Sequence, residues 1–287
     1  MSGIKAMQYI AYYFAIGLAA SIALALAAVK LRVIRRSAAL AAVLIGTLIS
    51  LSGPFTVAFF IIFLFLSTIV TRLGAGRKVE LGVGSDLEGR TSRQVLAVGI
   101  VPGILSAAVA LLPSRYLMDL LVIAVAASSA DTWASEVGVL SRSRPRLITK
   151  PWIRLSPGTS GGVTALGELG SMMGSAAMVL AALALTAAAP LAGPAYAYTW
   201  LTAPPSDYPA LWALGYVGEV LDSVLGALLQ PKYFCPKCGV TTDQRIHHCG
   251  AETIKIRWGV VTNELVNLLA TSAVLALAAV LIHPMPP

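Results

Sequence analysis

Residues 116–140 read "YLMDLLVIAVAASSADTWASEVGVL". The stretch begins as an almost unbroken apolar run and closes on two carboxylates, Asp131 and Glu136. About 20 predominantly apolar residues cross a bilayer as a helix, so the run is long enough to span. A charge inside a membrane segment is expensive and, where kept, usually functional. The stretch therefore predicts a membrane helix and raises the question of why it keeps two acids.

Working outward, seven further windows have the same character: Tyr9–Val29, Ser37–Leu51, Phe55–Thr71, Gln94–Leu112, Val163–Leu191, Pro209–Leu229 and Trp258–Ile282. Ser37–Leu51 and Phe55–Thr71 are short and separated only by "SGP", which predicts a tight helical hairpin. The composition agrees: 57% of the 287 residues are hydrophobic and 12% charged, against about 25% charged in soluble domains. The expected fold is an all-α polytopic membrane protein, multi-pass in the cell membrane. It has about eight transmembrane helices in a single transmembrane domain over residues 1–287. No internal repeat is visible, and no small-residue cleavage site follows a short apolar core as in a signal peptide.

The net charge of +8 raises nucleic acid as a partner, but its placement points elsewhere. Of the 21 Lys and Arg, 19 fall in four alternate loops, after the first, third, fifth and seventh windows. The positive-inside rule then puts those loops in the cytoplasm and both termini outside. Taken singly, each cation is also explained by topology and attraction to anionic lipid.

Six of the 13 Asp and Glu lie within the windows: Asp131, Glu136, Glu168, Glu219, Asp222 and Glu264. With this orientation they fall within about one to three turns of the cytoplasmic helix ends, at a rise of about 1.5 Å per residue. Asp119 lies near an outer end. Carboxylates buried at one depth need partners, and a divalent cation is an economical one. Asp131 and Glu136 are five apart and do not share a helix face, whereas Asp131 with Ser135, Glu219 with Asp222, and Asn263 with Asn267 do. Asp131 and Asp222 are the expected Mg²⁺ ligands. Glu136 is left to a basic side chain or a second ion, and Glu264 completes the candidate catalytic carboxylates. Asn263 and Asn267 offer neutral oxygens or amide donors; membrane asparagines also serve as helix–helix glue.

The loop from Arg142 to Glu168 carries Arg144, Arg146 and Lys150, then Gly158, Thr159, Ser160, Gly161 and Gly162, then a helix. Backbone N–H groups ahead of a helix bind anions, and glycine permits close approach. This is a nucleotide or phosphate site in kind, though without the "GKS" or "GKT" of a Walker A loop. Arg90 and Arg93 in "GSDLEGRTSRQ", Gly84–Gln94, offer a second such element.

All three cysteines sit in one cytoplasmic loop, residues 231–257: Cys235 and Cys238 in "CPKCG", then His247, His248 and Cys249. Three Cys and one His in this spacing suit a closed structural Zn²⁺ site. The spacing leaves open which His binds.

These segments together resemble the phytyl-phosphate kinase family of integral membrane proteins. The resemblance runs from about Ala41 to the C-terminus and rests on "EGRTSRQVLAVG", "SADTWASEVG", "PRLIT", "PGTSGGVTALGELGS", "DSVLGALLQ" and "TNELVNLLA", in the family's order. "ADTWASEVG" is also similar to an element of dolichol kinases and CTP-dependent cytidylyltransferases. The resemblance implies phosphoryl transfer from a nucleoside triphosphate such as CTP to a prenyl monophosphate. It maps the functional carboxylates onto Asp131, Glu136 and Asp222. The chain has "GTSGG" where the family has "GTNGG", and "EGRTSRQ" where it has a glutamine–arginine–asparagine run. Two alternatives use the same features: a cytidylyltransferase making a CDP-lipid, and a non-enzymatic transporter of anionic substrates.

Overall fold

The computed structural model describes residues 3–83, 85–192 and 204–282. The extreme ends of the chain, where the two outer termini are expected, and Gly84 of the second basic loop lie outside the described residues. The helices are α1 (Gly3–Lys30), α2 (Ala39–Ser50), α3 (Pro54–Arg72), α4 (Ala75–Glu80), α5 (Ser92–Leu111), α6 (Arg115–Gly138), α7 (Ala165–Ala188), α8 (Tyr208–Leu229) and α9 (Asn263–Leu281). Seven of these segments are long and apolar enough to cross a membrane; the eighth apolar helix, Arg36–Ser50, is shorter. It leaves the basic end of the bundle and α3 returns to it, so the expected hairpin forms.

α6, the helix of residues 116–140, is the centre of the bundle. It packs against α3, α5, α7, α8 and α9. Every residue from Met118 to Ala130 is buried; from Asp131 onward the helix opens. Its closest neighbour is α7, which presents Gly167, Gly170 and Gly174 along one face. A Cβ at Gly174 would stand 2.7 Å from the Ser129 carbonyl oxygen, so only glycine lets the two backbones meet. Small residues at such crossings are how helices pack when lipid is as apolar as leucine.

The four basic loops gather at one end. Arg72 donates to Leu31 O at 2.9 Å and Arg35 Nε to Gly89 O at 3.1 Å. Arg77 reaches Ser141 O, Gln244 reaches Gly82 O, and Leu155 bridges Thr241. Arg115, with Asp207 at 2.8 Å, sits on a connection of the other parity. This convergence is what an even number of traverses between successive basic loops requires.

The all-α expectation holds for the bundle, while the loops carry two small antiparallel sheets. β1 (Arg146–Leu147), β2 (Lys150–Arg154) and β3 (Gly162–Val163) form one, in the order β2-β1-β3. β4 (Lys232–Cys235), β5 (Val240–Thr242) and β6 (Ile254–Arg257) form the other, in the order β5-β4-β6. The window that began at Trp258 shortens accordingly. Lys255 Nζ lies 3.7 Å from the Trp258 ring centre, and Gly259 is pressed against the backbone of Leu229 to Pro231. These contacts hold the segment extended until Thr262 starts α9. Asp119 lies near the end of α6 away from the basic loops, as expected, where it is buried and pairs with Arg115 at 3.7 Å.

Candidate functional site

A cleft of about 660 Å³ opens at the basic end of the bundle. Its floor is the last two turns of α6, the first turn of α7 and the last turns of α8. Asp131, Glu136, Glu168, Glu219 and Asp222 all line it, and one wall is the glycine loop Gly158–Gly162. Asn263 stands at its rim. Three helices thus bring five carboxylates to one cavity, and Asp243 of the 231–257 loop also lines it.

Their surroundings divide them. Glu136 is an ion-pair partner: Lys78 Nζ donates to its Oε2 at 2.6 Å. The same ammonium also donates to Val70 O at 3.2 Å and Thr71 O at 2.8 Å, so its three donors are satisfied although Lys78 is buried. Lys78 thereby closes the carbonyl end of α3, where a cation is favoured. Of the two partners the sequence leaves open for Glu136, the structure supplies the basic side chain.

The other four carboxylates face the cleft with different partners. Glu219 accepts from Ser223 at 2.9 Å and Ser171 at 3.3 Å. Glu168 accepts from Tyr216 at 2.8 Å. Asp222 lies within electrostatic reach of both Asp131 and Glu219. The side-chain amide of Asn267 sits between the two aspartates. In one orientation its nitrogen donates to Asp131 Oδ2 at 3.4 Å; with the amide turned over, it donates instead to Asp222 Oδ2 and to Asn263 O, each at 2.9 Å. Among the described residues no Lys or Arg lies within 4.0 Å of Glu168, Glu219 or Asp222. The donor set is all oxygen, which suits a hard cation such as Mg²⁺. Glu264, in the first turn of α9, does not line the cleft.

The glycine loop is shaped by its neighbours. Gly161 has φ +72° and rests on Ala227 of α8, where a Cβ would come within 2.6 Å. The Ser160 N–H, a candidate phosphate donor, is given to Asp243 Oδ2 at 2.7 Å. Lys232, itself buried, donates to Asp243 Oδ1 at 2.6 Å and to Ser160 O at 2.8 Å. Burial pulls the Lys232 pKa down and Asp243 opposes the shift. This clamp comes from the 231–257 loop and was invisible in the sequence, because Lys232 and Asp243 look like ordinary loop charges.

That loop also holds the Cys/His group. The candidate ligand atoms of Cys235, Cys238, His247 and Cys249 all lie within 4.8 Å of one another. The structure thus selects His247 over His248, which stacks on it with ring centres 4.0 Å apart. Burial lowers the His247 pKa, favouring the neutral imidazole a metal needs. His247 Nδ1 stands 3.3 Å from Cys249 Sγ, and Nε2 is 3.1 Å from Ser156 Oγ. A hydrogen bond on the far nitrogen is how metal-binding imidazoles are usually oriented. Soft thiolates with one imidazole suit Zn²⁺.

The expected phosphate-binding cations do not enter the carboxylate cleft. Arg90 sits beside the α1–α2 turn, its N–H bonded to Val33 O at 3.0 Å, and Arg93 lies in the first turn of α5. Arg144 and Arg146 line a second cavity; Lys150 lines neither. In their place the cleft has Lys78, Gln94 and Gln230.

Comparison with known proteins gives a family. The model of a family described as "Integral membrane protein DUF92" matches residues 19–275. The chain is 34% identical over 113 residues to a protein of Methanocaldococcus jannaschii named "Uncharacterized membrane protein", covering 39% of this chain and 46% of that one. It is 37% identical over 112 residues to Protein PGR of Arabidopsis thaliana, covering 38% of this chain and 36% of that one. The chain therefore spans less than half the length of these curated relatives. No solved structure matches.

Proposed function

The chain belongs to the DUF92 family of integral membrane proteins, and on that premise we propose that it is a membrane-embedded phosphotransferase. In this reading it moves the terminal phosphoryl group of a nucleoside triphosphate, CTP by resemblance, onto a prenyl monophosphate. The observation that carries the reading is the cleft itself. Glu168, Glu219 and Asp222, which make no ion pair among the described residues, meet a glycine loop and a rim amide where soluble nucleotide and membrane lipid can both arrive.

Phosphoryl transfer is mostly positioning and charge neutralisation. Asp131 and Asp222 would hold Mg²⁺, with the Asn267 amide between them donating to one of the two. Bound there, the ion would offset the negative charge of the donor phosphates. Glu219, held by Ser171 and Ser223, would add negative potential that favours the cation. The nucleophile is an oxygen of the lipid phosphate, already an anion, so no general base is needed. The bond from the γ-phosphorus to its bridging oxygen breaks, the lipid oxygen takes its place, and the nucleoside diphosphate leaves. Lys78 keeps Glu136 neutralised, so that carboxylate would not compete for the metal.

The test is purified protein in neutral nanodiscs with Mg²⁺, labelled CTP or ATP, and prenyl monophosphates. Formation of prenyl diphosphate with release of nucleoside diphosphate is the expected result. Release of pyrophosphate with a CDP-lipid would replace kinase by cytidylyltransferase chemistry. Absence of turnover with every donor would sink both.

A further inference from the structure

Beside the cleft lies a second cavity of about 660 Å³, between the β1–β2 hairpin and the start of α7. Arg144, Arg146 and Arg154 line it. The strand register sets Arg146 opposite Arg154, and like charges in cross-strand register repel. Arg146 donates to Pro151 O at 2.8 Å. The side chains of Arg144 and Arg154 have no hydrogen-bond or ion-pair partner among the described residues. The acid that reaches the cavity, Glu168, is bonded to Tyr216 and makes no ion pair among the described residues. Three exposed guanidiniums thus line one hollow, and none of them makes an ion pair among the described residues. Arginine pairs with phosphate through two parallel N–H···O bonds.

The flank of the cavity says which phosphate. Leu166, Leu169 and Met173 are exposed along one face of α7, beginning one turn from the hollow, and Trp152 of β2 is 73% exposed beside it. Apolar helix surface below and an exposed Trp at the end of the bundle are the marks of the membrane interface. Val163, Thr164 and Glu168 line both this hollow and the carboxylate cleft.

We propose that the arginine cavity is a separate site for the phosphate of a membrane lipid phosphomonoester, with the lipid chain laid on the Leu166–Leu169–Met173 face of α7. The lipid's role as phosphoryl acceptor rests on the phosphotransferase reading; the binding site itself does not. Two phosphorylated ligands would then approach each other across Thr164 and Glu168, one from water and one from the bilayer.

The experiment uses the full chain in phosphatidylcholine nanodiscs and measures binding of geranylgeranyl monophosphate, inorganic phosphate and a fluorescent CTP analogue. The doubly substituted Arg146→Gln/Arg154→Gln protein should bind the lipid phosphate about tenfold or more weakly, since it loses charge-assisted bonds. Its affinity for CTP should stay within about twofold of the parent's. Inorganic phosphate should bind the parent far more weakly than the lipid does. Arg146→Lys/Arg154→Lys, which keeps the charge but not the paired geometry, should fall between, and it serves if the Gln form does not fold. Unchanged lipid affinity, an equal loss for CTP, or inorganic phosphate binding as tightly as lipid would each overturn the site. Arginine-dependent lipid binding without turnover on any nucleotide would leave this site standing and remove the phosphotransferase reading.

Discussion

Asp243→Ala should release the glycine loop from the Cys/His knuckle. In the native protein one carboxylate bridges Lys232 Nζ at 2.6 Å and the Ser160 N–H at 2.7 Å. Truncation leaves an ammonium that is only 5% exposed with a single carbonyl partner, Ser160 O. Removing one member of a buried ion pair costs about 3–5 kcal/mol, chiefly because the remaining charge stays buried. Asp243 is 27% exposed, so water can reach the vacated place, and we take the lower end, about 3 kcal/mol. At about 1.36 kcal/mol per decade, this speeds exchange of the Ser160 amide roughly 100-fold if the loss is local. Hydrogen exchange with mass spectrometry over peptides spanning 155–164 reads it directly. Adding Lys232→Met removes the stranded charge and should recover much of the lost global stability, though not the protection of Ser160, whose acceptor is gone; the two stability effects are therefore non-additive. Exchange changing less than about threefold in Asp243→Ala would refute the clamp. So would simple additivity of the pair.

Other expectations follow from the same geometry. Asp131→Asn and Asp222→Asn should each abolish detectable phosphoryl transfer while the proteins remain monodisperse, whereas Glu88→Gln, an exposed partner of Arg35, should keep it; equal activity in all three would remove the metal role. Native protein should carry one Zn²⁺ per chain by elemental analysis, lost when Cys235, Cys238 and Cys249 become Ser. Ser156→Ala should weaken zinc affinity about tenfold, as loss of an orienting partner does; unchanged affinity would mean that the Ser156 contact orients nothing. Gly174→Val should destabilise the bundle by at least about 2 kcal/mol, because its side chain meets the α6 backbone rather than a movable group; a thermal midpoint equal to the native one would contradict that contact. Single cysteines at Ser143 and Thr241, in a cysteine-free background, should be shielded from an impermeant reagent outside intact cells, while one at Ser206 should react; reaction of Ser143 together with Ser206 would invert the orientation.

Much of the architecture is legible along the chain because the bilayer imposes it locally. A spanning helix must satisfy its own backbone and expose apolar side chains, so runs such as 116–140 announce themselves without knowledge of their neighbours. The alternation of basic loops counts the crossings, and the convergence of Leu31, Gly89, Ser141 and Thr241 at one end agrees with that count. Carboxylates at a common depth are likewise visible, since helical rise converts sequence position into depth. The Cys and His spacing marks a metal-binding group by itself.

Azimuth and loop docking are different, because they depend on which faces meet. Depth alone puts Glu136 beside Asp131, yet the fold turns Glu136 onto Lys78, whose role belongs to α4 and the end of α3. Spacing cannot separate His247 from His248; burial against Ser156 does. Arg144 and Arg146 look like part of the glycine loop's phosphate site, but strand pairing with Arg154 carries them to the far side of Thr164. Asp243, an unremarked loop acid, takes the Ser160 N–H that the sequence leaves for phosphate. The sequence by itself marked the membrane helices and the depth of the acids within them, since each answers to the bilayer alone. Only the tertiary structure decided the partner of each buried charge, because a salt bridge or hydrogen bond forms at about 3 Å between groups as distant in the chain as Asp131 and Asn267, 136 residues apart.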